Sequence, residues 1–300
     1  MSETDSGDIR MVDVTDKEPN RRRAVAAAEI RFARETVERI VGGTLPKGDV
    51  AAAARLAGIM AAKQTSQLLP LCHNIALTHV EVHFAPILFL ERVCIQVLVT
   101  ALATTGVEME ALTAATVAAL TTYDMCKGLD RAAEIGHVRL LSKEGGRSGH
   151  WQADGVARVL AVSLSERRGT SKSNVEQATL DVDSGVRGDA HAGPGLRQVS
   201  LLAGESIQKA RDQGIEVNPG DFAENITTQG LVLPELPVGT HLLVGPFAVG
   251  TVTQIGKTCE SPCEIGRRLG DCVMPHEGIF IGILHGGTLQ PGDLIQVLEE

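Results

Sequence analysis

Lysine, carboxylate and histidine side chains stand at the ends of predicted elements in the first half of the chain. The segment Lys47-Gly48-Asp49 precedes a helix, and there the glycine permits a turn and the aspartate can cap the helix. His73 follows a proline in a loop, and Asp124 and Lys127 face the same way at the end of a helix. Together these groups predict acid/base chemistry. Taken alone, the Asp124–Lys127 spacing also fits an ordinary helix-end ion pair.

Basic residues nearby indicate that the substrate is an anion. Lys47 lies just before a helix start, which is a favourable place for a phosphate group. Lys63 lies in the far half of the same helix, and Lys143 and Arg147 flank Gly145-Gly146 in a basic segment. The sequence therefore predicts a phosphorylated substrate.

The charged groups of the predicted helix 107–127 lie only at its tips. Glu108 and Glu110 stand at one end and Asp124 and Lys127 at the other, with an uncharged stretch between them. At ~1.5 Å per residue, Glu110 and Asp124 are ~21 Å apart along the axis. One chain cannot easily bring both tips to one small substrate, so either the ends serve separate sites or a site forms where two subunits meet.

The elements that position these residues predict an α+β fold for the first half. Helices are expected over 24–41, 49–69 and 107–127, and strands over 76–84, 92–104 and 135–142. This order predicts one antiparallel sheet with helices on one face. The segment 86–91 is apolar where a hairpin turn is usually polar. It is either a longer strand or a buried turn at an oligomer or domain contact.

A Gly-rich polar linker at 145–156 precedes a half with a different pattern. Short apolar runs alternate with Gly, Pro, Asn and Asp, which is typical of an all-β domain, with one helix expected at 205–213. We therefore divide the 300 residues into domains 1–150 and 151–300.

Composition and charge exclude several functions. Residues 1–150 hold 17 Lys and Arg against 18 Asp and Glu, and residues 151–300 hold 11 against 19, so no long-range field attracts nucleic acid. The longest apolar region, 87–103, is interrupted by charges and is not a membrane span. The polar N-terminus has no signal-peptide pattern, which predicts a cytoplasmic protein with reduced cysteines.

The spacing of cysteines in the second half leaves three alternatives. Cys259 and Cys263 are four positions apart, and Cys272 and His276 repeat this interval. The set could form a structural zinc site or simply pack. Alternatively, Cys263 is a reactive thiol whose pKa is lowered by nearby basic residues.

Several motifs of the first half resemble the MoaC family, the cyclic pyranopterin monophosphate synthases. They are MVDVT at 11–15, KGDV at 47–50, ARLAGIM at 54–60, AKQT at 62–65, PLCH at 70–73, TGVEMEALTAATVAAL at 105–120, YDMCK at 123–127 and LSKEGGRSG at 141–149. The resemblance implies a lyase of molybdenum-cofactor biosynthesis that converts 3′,8-cyclo-7,8-dihydro-GTP into cyclic pyranopterin monophosphate and pyrophosphate. It also implies ferredoxin-like subunits in a hexamer with pockets between them. Each helix tip would then serve a different copy of the pocket.

The resemblance also implies roles for individual residues. Lys47 and Lys127 would be the acid/base lysines, since a buried lysine crowded by cations can lose its proton near neutral pH. Asp124 would hold Lys127 or relay a proton, and His73 would assist. The implied substrate-binding residues are Lys63, Cys72, Glu108, Met109, Glu110, Lys143 and Arg147, although Cys72 could equally pack beside His73. Mg²⁺ is expected on the substrate triphosphate, and no protein metal ligands are assigned.

The second half resembles the MOSC domain, the C-terminal module of molybdenum-cofactor sulfurases. SPC at 261–263 and GDFAENIT at 220–227 carry most of the resemblance. It implies a mostly-β barrel that binds the molybdenum cofactor or carries sulfur on Cys263, supplied by a sulfur-donor protein. His191, Arg197 and Asn225 are candidate cofactor contacts in Gly/Asp-rich loops. The alternatives are a non-catalytic binding module, a zinc-structural module or, for the whole chain, a nucleotide-binding regulator without chemistry.

Overall fold

An alanine-rich strand, β1, occupies the centre of the first sheet. The computed structural model describes residues 9–147, 149–258 and 272–298. The chain divides into an N-terminal unit, Met1–Ala153, and a C-terminal unit, Asp154–Glu300. The elements of the N-terminal unit are β1 (Asn20–Arg31), α1 (Arg34–Val41), α2 (Val50–Leu68), β2 (Leu77–Ile87), β3 (Arg92–Ala103), α3 (Glu108–Cys126), β4 (Glu134–Glu144) and β5 (Trp151–Gln152).

The first sheet has the strand order β2-β3-β1-β4-β5, and β1 is antiparallel to both β3 and β4. With α2 and α3 as the main helices, this is the ferredoxin-like arrangement, so that prediction is confirmed. Ala24, Ala26 and Ala28 of β1 share a core with alanines of α3. Small side chains on both surfaces let the helix approach the sheet closely.

The predicted helix 24–41 is wrong in its first part. Residues 20–31 form β1, and the helix begins only at Arg34. Alanine favours helices in isolation, but the pairing of β1 with a strand on each side outweighs that propensity. The apolar segment 86–91 is partly a longer strand, since β2 runs to the buried Ile87. The 3₁₀ turn Leu88–Leu90 then closes the hairpin.

The C-terminal unit contains a closed barrel. Seven strands follow one another in the order β11-β10-β14-β13-β12-β16-β6, and β6 pairs with β11 to close the ring. A separate sheet contains β15, β8 and β9. The elements are β6 (Val156–Leu164), β7 (Ser173–Val175), β8 (Ala178–Asp181), β9 (Gly185–Val186), β10 (Val199–Ala203), α4 (Gly204–Asp212), β11 (Ile226–Gln229), β12 (His241–Val244), β13 (Ala248–Ile255), α5 (Met274–Glu277), β14 (Ile279–His285), β15 (Gly287–Leu289) and β16 (Leu294–Val297).

The barrel confirms the mostly-β fold predicted for the second half, and α4 lies where one helix was expected. Its interior is aliphatic, with buried side chains from every barrel strand. No helix in the described part of the chain is long and apolar enough to cross a membrane.

Candidate active site

A cavity of about 620 Å³ lies in the N-terminal unit, where the first turn of α3 meets the end of β4. Five of its lining residues are cationic: Lys17, Arg22, Arg23, Lys143 and Arg147. The other lining residues are Asp16, Glu18, Asn20, Thr104, Thr105, Gly106, Glu108, Glu144, Gly145 and Gly146. Four carboxylates also line the cavity, those of Asp16, Glu18, Glu108 and Glu144, so the excess is one positive charge. Several cations gathered in one cavity can bind an anionic group.

Arg22 is the most enclosed cation of this cavity, with 7% of its surface exposed. Its Nε donates to the carbonyl oxygen of Ala103 at 3.0 Å, and its Nη2 donates to that of Thr104 at 2.9 Å. Among the described residues, no carboxylate forms an ion pair with this guanidinium. A buried cation held only by neutral carbonyls is a strong site for an anionic ligand.

Two glycines let the loop after β4 close over Arg22. Gly145 and Gly146 have φ values of +97° and +79°, which favour glycine. A Cβ atom at Gly145 would strike the carbonyl oxygen of Arg21, and one at Gly146 would strike Nη1 of Arg22. The Gly-Gly pair therefore sets how closely Lys143 and Arg147 approach the Arg22 side chain.

Two further cations of the cavity are paired with carboxylates. Lys143 Nζ lies 3.2 Å from Glu108 Oε1, and Arg23 Nη1 lies 3.4 Å from Glu144 Oε1. All four side chains are between 17% and 28% exposed, so water still reaches both pairs. These are moderate interactions that a more highly charged ligand can replace.

The loop after α2 lies near the same end of α3. Glu110 is 4% exposed, and burial raises its pKa. Burial also raises the pKa of Cys72, with a further contribution from Glu110, and His73 interacts electrostatically with Asp13. Six sequence-predicted residues therefore gather at this end of α3: Cys72, His73, Glu108, Glu110, Lys143 and Arg147.

The predicted acid/base residues gather at the opposite end of α3. Lys47 Nζ lies 2.8 Å from Asp124 Oδ2 and donates to the backbone oxygen of Asp124 at 2.8 Å, while Lys127 Nζ lies 2.7 Å from Oδ1. Asp49 caps α2 by accepting from the amide of Ala52, which fixes the segment that carries Lys47. One carboxylate thus holds two ammonium groups.

Lys47 and Lys127 are partly exposed, and Asp124 shifts the pKa of Lys127. The side chains of Lys47 and Lys127 are 46% and 52% exposed in the single chain. The hydrogen bond to Asp124 raises the pKa of Lys127, and the hydrogen bonds from Lys127 and Lys47 lower the pKa of Asp124 to about 2. The hydrogen bond to Asp124 therefore favours the charged form of Lys127.

The two groups are far apart within one chain. Glu108 and Asp124 are separated by 16 positions of α3, which is ~24 Å along the helix axis. Lys63 is exposed on α2 and Met109 is 41% exposed at the start of α3. None of Lys47, Lys63, Asp124 and Lys127 lines the 620 Å³ cavity.

Sequence reasoning missed Arg22, Arg23 and Lys17. Arg22 and Arg23 belong to β1, a strand that the sequence pattern did not predict. The signal was the alternation of side chains along a strand, which buries Arg22 and exposes Arg21.

The candidate thiol Cys263 and its neighbour Cys259 lie outside the described residues, so their part of the zinc alternative has no structural description. Cys272 is partly buried and packs against the cluster around α4, and His276 lies in α5. Among the described residues, no group of three or more His, Cys, Asp or Glu is placed to hold a metal ion.

The C-terminal unit buries a lysine. Lys172 Nζ lies 2.5 Å from Asp189 Oδ2, and both side chains are 1% exposed. Burial lowers the pKa of Lys172; burial opposes ionisation of Asp189 too, but hydrogen bonds from His191 and Lys172 keep its pKa low. His191 is 36% exposed and lies 3.3 Å from the other oxygen of Asp189, so it connects this buried pair to the surface.

The other two cofactor candidates are engaged in structural contacts. Asn225 is 2% exposed and bonds through its side chain to Ser200 and Ser163. Arg197 donates to Gln254 and lies over the ring of Phe280, 5.5 Å from its centroid. Of the three candidates, Arg197 is exposed, His191 is partly exposed and Asn225 is buried.

Comparisons with known proteins match the N-terminal unit. Residues 11–146 match the model of the MoaC family. The cyclic pyranopterin monophosphate synthase of Roseiflexus sp. strain RS-1 is 53% identical over 150 residues, which are 50% of this chain and 95% of that protein. The synthase of Magnetococcus marinus is 55% identical over 154 residues, covering 51% of this chain and 94% of that protein.

Solved structures gave weaker similarities. The YuaD protein from Bacillus subtilis is 16% identical with a TM-score of 0.40, covering 47% of this chain and 95% of that one. YiiM from Geobacillus stearothermophilus is 16% identical with a TM-score of 0.39, covering 48% of this chain and 75% of that one.

Proposed function

Because this chain belongs to the MoaC family, we propose that its N-terminal unit converts 3′,8-cyclo-7,8-dihydro-GTP into cyclic pyranopterin monophosphate and pyrophosphate. The relatives from Roseiflexus and Magnetococcus are named cyclic pyranopterin monophosphate synthases, and the substrate and the released pyrophosphate are those that the family resemblance implies. The cations of the cavity agree with a triphosphate substrate. The observation that carries the substrate assignment is Arg22, a buried guanidinium held by two carbonyls and by no carboxylate among the described residues.

The chemistry follows from the difference between substrate and product. A ribose oxygen attacks the α-phosphorus and loses its proton, and the bond to the β-phosphate breaks as pyrophosphate leaves. Arg22, Arg23, Lys143 and Arg147 stabilise the charge that moves onto the leaving group. Magnesium that accompanies the substrate would be carried on its triphosphate.

Rebuilding the purine into a pterin moves protons among ring nitrogens. Lys127 is protonated when the reaction starts and acts first as a general acid. Asp124 holds Lys47 and Lys127 in position. His73 and Glu110 take part at the opposite end of α3. A reaction that uses both groups, ~24 Å apart in one chain, requires a site shared between copies of the chain. We therefore propose a homo-oligomer, with the hexamer implied by the family resemblance as its form.

The test compares product formation by the purified full chain and by Lys127→Ala, with the cyclised GTP as substrate. Pterin product and released pyrophosphate are both measured. A loss of at least ~100-fold is expected for Lys127→Ala, on the scale of a removed general acid. Lys209→Ala is the matched control, because Lys209 is an exposed lysine paired with Glu277 in the C-terminal unit. Equal product from wild type and Lys127→Ala would refute the role of Lys127.

For the C-terminal unit we propose handling of the molybdenum cofactor, either by binding it or by carrying sulfur on Cys263. The described observation that agrees with this role is the Lys172–Asp189–His191 set, which brings a buried cation and a surface imidazole together. Persulfide on Cys263 after incubation with a sulfur donor, absent in Cys263→Ser and kept in Cys272→Ser, would support sulfur transfer. Cofactor binding without persulfide would support a binding module, and one zinc per chain would support a structural site.

A further inference from the structure

The carboxylate of Glu108 occupies a place in the cation-lined cavity that a phosphate group would suit. Glu108 Oε1 lies 3.2 Å from Lys143 Nζ. The other oxygen, Oε2, folds back over Gly106, where an added Cβ would collide with it. Gly106 therefore leaves the space that lets Glu108 reach Lys143.

We propose that Glu108 is an internal anion that occupies Lys143 until a polyphosphate replaces it, and that it returns to Lys143 as pyrophosphate leaves. The two side chains are 26% and 28% exposed, so the pair is weak enough to open. A polyphosphate carries several charges and can contact Arg22, Arg147 and Lys143 together, so it outcompetes one carboxylate even though Asp16, Glu18 and Glu144 also line the cavity. This inference rests on the proposed function for the identity of the anion.

The return of Glu108 to Lys143 affects how fast pyrophosphate leaves the cavity. Five cations around a pyrophosphate would hold the leaving group tightly after the reaction. An attached carboxylate competes for Lys143 at a high effective concentration, because it needs only a side-chain rotation to return. Glu108 therefore weakens binding of the product and speeds its release.

The experiment measures binding of inorganic pyrophosphate and tripolyphosphate to the full chain by titration calorimetry. Glu108→Gln should bind both about three- to fivefold more tightly, the scale of a partly exposed ion pair. Gly106→Ala should act in the same direction without changing any charge, because the new methyl group displaces the Glu108 carboxylate. Glu18→Gln is the matched control: it removes one charge from the same cavity wall and leaves the Glu108–Lys143 pair intact.

A double-mutant cycle separates a specific exchange from a general charge effect. In a Lys143→Gln background, Glu108→Gln should no longer tighten binding. Unchanged affinity in Glu108→Gln, equal tightening in Glu18→Gln, or tightening that persists without Lys143 would each overturn the proposal. These measurements need no turnover. If the double-mutant cycle gives the expected result but the protein does not convert the cyclised GTP, the proposed function is wrong and the exchange at Lys143 still stands.

Discussion

The ammonium group of Lys47 lies 2.8 Å from the carboxylate of Asp124, although the two residues are 77 positions apart. This contact joins the segment before α2 to the last turn of α3, and Lys127 completes it from the other side. One carboxylate thus contacts both lysines that the family resemblance assigns to catalysis, and it raises the pKa of Lys127.

Replacement of Asp124 by Asn should move the pH dependence of the reaction. Asp124 raises the pKa of Lys127, so its removal lowers that pKa. If the protonated lysine is the active form, activity falls as the pH rises through this pKa, and the fall should occur at lower pH in Asp124→Asn. The pH profile of kcat/KM measures the shift. Glu38→Gln removes an exposed carboxylate that pairs with Arg34 and should leave the profile unchanged.

Arg22→Lys should weaken substrate binding about tenfold or more. Lysine keeps the charge but cannot donate to the carbonyls of Ala103 and Thr104 while it also presents a planar edge to a phosphate. The KM of the cyclised GTP and the affinity for tripolyphosphate are the readouts. Arg21→Lys is the matched control, since Arg21 is the exposed neighbour on the same strand. Equal effects at the two positions would show that the cavity does not hold the triphosphate.

Much of the N-terminal fold could be predicted from the sequence because local signals agreed with it. The Asp49 cap and the apolar spacing fixed α2, and the β-branched residues of β3 fixed that strand. The centre of the sheet could not be predicted in this way. The alanines of β1 favour a helix locally, and only pairing with β3 and β4, distant in sequence, makes that segment a strand.

The candidate site likewise contains residues that local sequence signals identify and residues that depend on contacts distant in sequence. His73, Asp124 and Lys127 could be identified because they stand at element ends next to short motifs. Arg22 could not, because its burial depends on the strand that was mispredicted. The pKa of Lys127 was also beyond reach, since it depends on which charge lies beside it in space. The roles of Cys259 and Cys263 and the cytoplasmic location stay predictions.

Close packing of α2 on α3 should make Gly58 intolerant of larger residues. A Cβ atom at Gly58 would lie 3.2 Å from the carbonyl oxygen of Ala114 and 3.2 Å from Val82 Cγ2. Gly58→Val should lower the free energy of unfolding by ~2 kcal/mol, a common cost of overpacking. Urea unfolding of the N-terminal unit within the full chain measures this. Ala52→Val, at an exposed position of the same helix, should cost well under half as much.

Glu224 should make the C-terminal unit less stable as the pH rises. The residue is fully buried, its Oε2 has no hydrogen-bond partner in the described part of the chain, and burial raises its pKa. Since the pKa in the folded state lies above that in the unfolded state, the stabilising contribution is complete at low pH. It is lost as the pH rises through the folded value.

Glu224→Gln should reduce this pH dependence, because the amide cannot ionise. Hydrogen exchange of β10 and β11 peptides between pH 5 and pH 9, corrected for intrinsic rates, reports the local stability. An equally steep loss in the variant would assign the pH dependence to another group. Glu205→Gln, at an exposed position, serves as the comparison.

The most direct test of the shared site is complementation between two inactive variants. Lys127→Ala damages one end of α3 and Arg22→Gln damages the other, so each alone should lack activity. If one copy supplies the lysines and another the phosphate-binding cavity, mixed oligomers contain some sites with both ends intact. Random mixing at equal amounts predicts about a quarter of wild-type activity. A mixture no more active than the two variants measured separately would contradict a site built from two copies of this chain.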